Sequence, residues 1–191
     1  MRIKYNAPTV LTFTFLSAII LVLSQTLAPS LMKQWFVVSG KDSFSAGSVR
    51  CWITLFTHVL GHANWPHLVS NFSFILLIGP ILEEIYGSVS LLIMIAITAL
   101  VTGALNAAFF SSGLLGASGV VFMMILLASF TNFTRGEIPL TFILVLVLYL
   151  GRELFNSFGS SGSPGNISEF AHIVGGFIGS LFGFFRRGRK G

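Results

Sequence analysis

Three of the four histidines stand close together in Phe56-Thr57-His58-Val59-Leu60-Gly61-His62-Ala63-Asn64-Trp65-Pro66-His67, and the fourth, His172, is alone in the second half of the chain. Between them Gly113-Leu114-Leu115-Gly116-Ala117-Ser118-Gly119 runs a glycine-rich turn into an apolar stretch. A serine hydroxyl within reach of an imidazole is the arrangement for nucleophilic acyl transfer. The histidine accepts the proton, the oxygen attacks a carbonyl carbon, and hydrogen-bond donors hold the resulting oxyanion. Ser118 falls at the first turn of a helix, where backbone N–H groups are unpaired and the helix dipole is positive. Gly116 and Gly119 on either side leave its hydroxyl open to approach. His67 and Asn71 are four residues apart, so they share one helical face as two converging donors. Gly175, Gly179 and Gly183 recur every fourth residue after His172 and form a flat stripe for close helix packing. If that stripe meets the Ser118 helix, serine and histidine meet. No carboxylate is placed to orient His172, since Asp42 lies in the first loop and Glu169 toward the surface, so the expected unit is a Ser118–His172 dyad.

Each of these signals has a plainer reading on its own. Ser118 can be a small residue allowing tight helix contact, His172 an interhelical donor, and His67 with Asn71 a loop cap. His58 and His62 lie upstream of the helix that carries the donors and read as structural groups hydrogen-bonded within the outer loop. They are four residues apart, as metal ligands can be, but His67 is offset by five residues and a proline, and no cysteine or carboxylate accompanies them. Neither a metal nor a cofactor is expected. Cys51 is the single cysteine, which rules out an internal disulfide or a multi-thiolate site.

The elements that must position these groups follow from composition. Of 191 residues 54% are hydrophobic and 9% charged, with a mean hydropathy of +0.88, whereas soluble domains carry about 25% charged residues. The chain reads as an all-α polytopic membrane protein, a single domain of about six transmembrane helices at ~20 residues each. Charge-free runs place the helices at roughly 8–28, 66–85, 88–110, 117–133, 138–155 and 168–185. Arg2 and Lys4, Arg135, and the cluster Arg186, Arg187, Arg189 and Lys190 fall on one side of such a bundle, which puts both termini in the cytoplasm. Lys33, Lys41 and Arg50 fall in the long first outer loop and run against that rule. The net charge of +5 is thus a topology signal rather than a nucleic-acid patch, and the basic tail suits contact with anionic lipid. Thr26-Leu27-Ala28 is a poor cleavage site, so the first helix is read as a span and not a removed signal peptide. Glu83-Glu84 reads most simply as a solvated pair near the headgroups. The polar stretch from Asn156 to Ser168 has the composition of a lid over a water-filled cavity above Ser118.

Thr57-His58, His62-Ala63-Asn64-Trp65, His67, Asn71, Glu83, Gly87, Gly116-Ala117-Ser118-Gly119 and Ala171-His172 with its glycines resemble, in order and spacing, the rhomboid intramembrane serine proteases. The resemblance runs from about Arg50 to Gly183. It implies a six-helix rhomboid-like bundle in which Ser118 is nucleophile and His172 general base. His67, Asn71 and the Ser118 backbone N–H would form the oxyanion hole. It further implies structural support from Gly116, Gly119, Phe122 packed on the catalytic histidine, His58, His62, Glu83, Arg50, Gly175 and Gly179. Val49 stands where many members carry tryptophan before the arginine. The activity implied is hydrolysis of peptide bonds in or near transmembrane segments of membrane proteins, by a multi-pass protein of the bacterial inner membrane. The alternative is a catalytically silent relative that binds transmembrane clients, although such relatives generally lose the dyad that is intact here. A small transporter would show inverted repeats or charges at mid-membrane, and neither is evident.

Overall fold

A computed structural model of the chain describes residues 4–129, Leu140, Ile143, Leu144, Val147, Leu148 and 167–186. Among these the regular elements are α1 (Pro8–Thr26), α2 (Ser30–Trp35), α3 (Val49–Thr57), a 3-10 turn at His58–Leu60, α4 (Trp65–Tyr86), α5 (Ser88–Phe109), α6 (Ser118–Ser129) and α7 (Ile167–Arg186). Helices α1, α4 and α5 are long and apolar enough to cross a membrane, and α6 and most of α7 are shorter apolar helices. The architecture is the all-α bundle expected from the sequence. Of the helix expected over 138–155 only the helical residues Leu140, Ile143, Leu144, Val147 and Leu148 are described. The remainder of it, the proposed lid up to residue 166, Arg135, the side chain of Glu169 and the basic tail beyond α7 lie outside the described residues, while Ile167 and Ser168, read as the end of that lid, are the first two residues of α7.

Local chemistry sets the helix ends. Asn64 accepts a hydrogen bond from the His67 N–H at 2.9 Å, and Pro66 occupies the first turn, so α4 starts where the histidine motif ends. Gly87, at φ +81°, reverses α4 directly into α5. Helix α1 stops at Thr26, short of the expected end near 28, because Pro29 disfavours helical backbone at Ala28. The chain then turns into α2, too short to announce itself by periodicity.

Leu21, Ile75, Leu82, Leu91, Met123, Met124 and Leu127 form the fully buried centre where α1, α4, α5 and α6 meet. Residues as apolar as these, such as Leu77 and Val89, point outward, as expected for helices solvated by lipid. Glu83 corrects the reading of a solvated pair. Its carboxylate is buried and accepts the backbone N–H groups of Thr9 at 2.8 Å and Val10 at 3.0 Å, while Glu84 is exposed. The first turn of α1 has N–H groups with no partner in its own helix, and a carboxylate from the end of α4 satisfies two of them and favours the positive end of the dipole. This ties α1 antiparallel to α4.

Candidate active site

The stripe of small residues on α7 packs against α6. A methyl group added at Gly175 would overlap the backbone of Gly119, and one at Gly179 would overlap that of Met123. A methyl at Gly119 would sit 3.3 Å from the Ala171 carbonyl oxygen. Backbone therefore meets backbone at the step from Gly119 to Ala171, and the neighbours of that step are Ser118 and His172. Ser118 opens α6 and is half-buried. The His172 ring, also half-buried, lies flat on Phe122 one turn further along α6, with centroids 4.3 Å apart and planes 4° from parallel. That stacking holds the imidazole plane against α6.

The candidate donors, His67 and Asn71, lie on α4. Gly116 adopts φ +114°, a conformation side chains avoid, and a methyl there would lie 2.7 Å from His67 Cε1 and Nε2 and 3.8 Å from Asn71 Nδ2. The absent side chain is what admits the His67 ring and the Asn71 amide beside the serine loop. Asn71 is buried, and its Nδ2 has no hydrogen-bond partner among the described residues. A buried amide donor without an acceptor costs about 1–3 kcal/mol, which makes it the kind of group kept for an acceptor that arrives during function.

Around this point the outer loops are locked by His58 and His62. Both are buried, and burial is the main cause that lowers each pKa from 6.5 to about 4, with the charge of His67 adding to the effect on His62. Both are therefore neutral at physiological pH. His58 Nδ1 faces the carbonyls of Thr54 and Leu55 at 3.2 and 3.1 Å, so it carries the proton. The His58 carbonyl accepts the Gly116 N–H at 2.9 Å, tying the histidine segment to the serine loop. His62 bonds Leu60 O through Nδ1 and packs edge-on against the His67 ring at 5.0 Å, so it props the donor rather than reaching the serine. A backbone bridge between Val38 and Leu114 joins the first outer loop to the same serine loop. Arg50 sits at the exposed start of α3 and lines a cavity with α2 residues.

Nothing in the histidine and serine motifs points to α5, yet it supports the site. Thr102 lies 3.4 Å from His58 Nε2 and touches the space beside Gly119, and Asn106 donates to Ser112 O at 3.2 Å. The available signal is the spacing of Thr98, Thr102 and Asn106, four residues apart on one buried face of an otherwise apolar helix. Among the described residues no group of three or more His, Cys, Asp or Glu could hold a metal ion.

Comparison with known proteins adds an independent line. No curated protein matches the chain. The family model described as the Rhomboid domain matches residues 49–189, a stretch that begins with α3 and takes in the histidine segment, the serine loop and α7. With a match over most of its length, and with three described helices long and apolar enough to cross a membrane, the chain belongs to the rhomboid family of integral membrane proteins.

Proposed function

We propose that this rhomboid is an intramembrane serine endopeptidase, a single six-helix domain that hydrolyses peptide bonds in or near transmembrane segments of membrane proteins. The observation that carries this reading is the backbone contact of α6 with α7 at Gly119, Ala171 and Gly175, because it draws the flanking Ser118 and His172 toward one point. In the first half-reaction His172 takes the hydroxyl proton as Ser118 Oγ bonds to the carbonyl carbon. The Asn71 amide, His67 and the Ser118 N–H stabilise the oxyanion. Collapse breaks the C–N bond, and His172 returns the proton to the leaving amine. In the second half-reaction His172 deprotonates water, which bonds to the ester carbon; collapse breaks the C–Oγ bond, and His172 returns the proton to Ser118 Oγ.

A dyad without a carboxylate suits this setting, since an ionised third member would be expensive to bury. Water must reach Ser118 from the side on which α6 begins, and a substrate helix must unwind locally because its carbonyls are otherwise engaged in backbone bonds. The distribution of basic residues favours cytoplasmic termini in a bacterial inner membrane, with the site opening to the opposite side. The test is serine-reactive fluorophosphonate labelling together with cleavage of a model transmembrane substrate in liposomes. The wild-type chain is expected to do both. Ser118→Ala and His172→Ala are expected to lose on the order of 10³-fold or more in cleavage. A wild-type chain inert in both assays belongs to the silent, client-binding class of rhomboid, and full activity in either variant removes the dyad.

A further inference from the structure

Lys33, Lys41 and Arg50 lie in the loop where the positive-inside rule predicts few cations, and the hydrolytic site uses none of them. Two of them share a cavity of about 420 Å³ between α2 and α3, on the Ser118 side of the bundle. Its polar lining is Ser30, Lys33 and Gln34 from α2, Ser39 from the loop, and Arg50 and Thr54 from α3; none of its lining residues is acidic. Two cations with hydroxyl and amide donors around one hollow form a receptor for a compact oxyanion.

The opposite face of α3 indicates where that oxyanion comes from. Val49, Trp52, Ile53 and Phe56 recur at helical spacing and are exposed, at 73%, 51%, 38% and 46% of their surface, while Cys51, Thr54 and Leu55 are buried. A short helix with an exposed aliphatic and aromatic strip beside a cationic hollow lies in the membrane interface, with tryptophan at headgroup depth. The anion concentrated at that depth is lipid phosphate. We propose that the α2–α3 cavity binds the phosphate of an anionic phospholipid from the leaflet on the Ser118 side, with Lys33 and Arg50 as its cations and the lipid chains along the Val49–Phe56 strip. A zwitterionic headgroup carries its own ammonium beside the phosphate and gains less from the two cations. The lipid thus becomes a fixed part of the loop that continues into the His58 turn.

This inference stands independently of proteolysis, and its test reads lipid alone. Native mass spectrometry of the full-length chain, titrated with phosphatidylglycerol or phosphatidylcholine, is expected to show tighter binding of phosphatidylglycerol. At about 1 kcal/mol per cation, Lys33→Gln should weaken it about fivefold and Lys33→Gln with Arg50→Gln about thirtyfold. Lys41→Gln, outside the cavity, should leave it unchanged. Lys33 is exposed, so its single variant stays informative if the double variant does not fold. Inorganic phosphate at millimolar concentration should leave the lipid bound. Equal binding of the two lipids, equal binding by the Lys33→Gln variant, an equal loss in Lys41→Gln, or displacement by inorganic phosphate would each overturn the assignment to a lipid headgroup.

Discussion

Gly175→Ala is the sharpest perturbation of the proposed site, because it adds one methyl group and touches neither Ser118 nor His172. That methyl would be driven into the backbone of Gly119, where no side chain can rotate away. The helices must separate by roughly 1 Å or more to restore ordinary contact. Overpacking of this kind costs about 1–3 kcal/mol, partly offset by the ~1 kcal/mol by which alanine favours helix over glycine. The expected loss of stability is therefore small, about 0–2 kcal/mol. The effect on catalysis is larger, since a displacement of ~1 Å between nucleophile and base lowers the rate by about 10²-fold. The adjacent Gly176 supplies the control: a methyl there meets Leu126 Cγ at 3.6 Å and Cδ2 at 3.9 Å, ordinary contacts. Gly176→Ala should retain wild-type activity and equal or greater stability. Cleavage of a transmembrane substrate in liposomes, the rate of fluorophosphonate labelling and the thermal unfolding midpoint measure all three quantities. Wild-type cleavage by Gly175→Ala, or an equal loss in Gly176→Ala, would refute the claim that this contact sets the distance between serine and histidine.

Three further outcomes follow from the same contacts. Asn71→Ala should lower kcat about 10²–10³-fold with KM little changed, yet leave stability equal or higher because the amide it removes has no partner; a loss of stability matching the loss of rate would make Asn71 a structural residue. Glu83→Ala should lower stability by about 2–4 kcal/mol by orphaning the Thr9 and Val10 N–H groups, with Glu83→Gln recovering part of it and kcat unchanged where the chain is folded. His58 and His62 carry folded pKa values of about 4 against 6.5 when unfolded, so the unfolded chain binds more protons between those values. Stability should be complete above pH 6.5 and fall as pH drops toward 4, by at most about 3 kcal/mol per histidine. Denaturation curves across that range should flatten on replacing His58 by a neutral residue that still folds, and an unchanged slope would remove His58 as its source.

Much of this protein is legible in the order of its residues because lipid makes polarity expensive. In a chain with 9% charged residues, each polar group at membrane depth is selected against unless it has a task, so Ser118, His172, His67 and Asn71 stand out from their surroundings. Local rules also suffice for the start of α4 at Asn64 and Pro66 and for the shared face of His67 and Asn71. Helix α2 escaped such reading because six residues are too few for a period, and the support from Thr102 and Asn106 because threonine and asparagine commonly serve only to pack membrane helices.

The meetings between helices belong to the tertiary structure. Apolar faces are alike to lipid, so hydrophobic patterning does not say which helix packs on which. Only in three dimensions does the glycine stripe of α7 find Gly119 and Met123, does the missing side chain of Gly116 admit His67, and does Glu83 turn from an apparent surface acid into the cap of α1. The sequence by itself determined which groups are available for chemistry, through the cost of desolvating them. Their proposed convergence rests on backbone proximity, which depends on small residues facing each other across helices far apart in the chain.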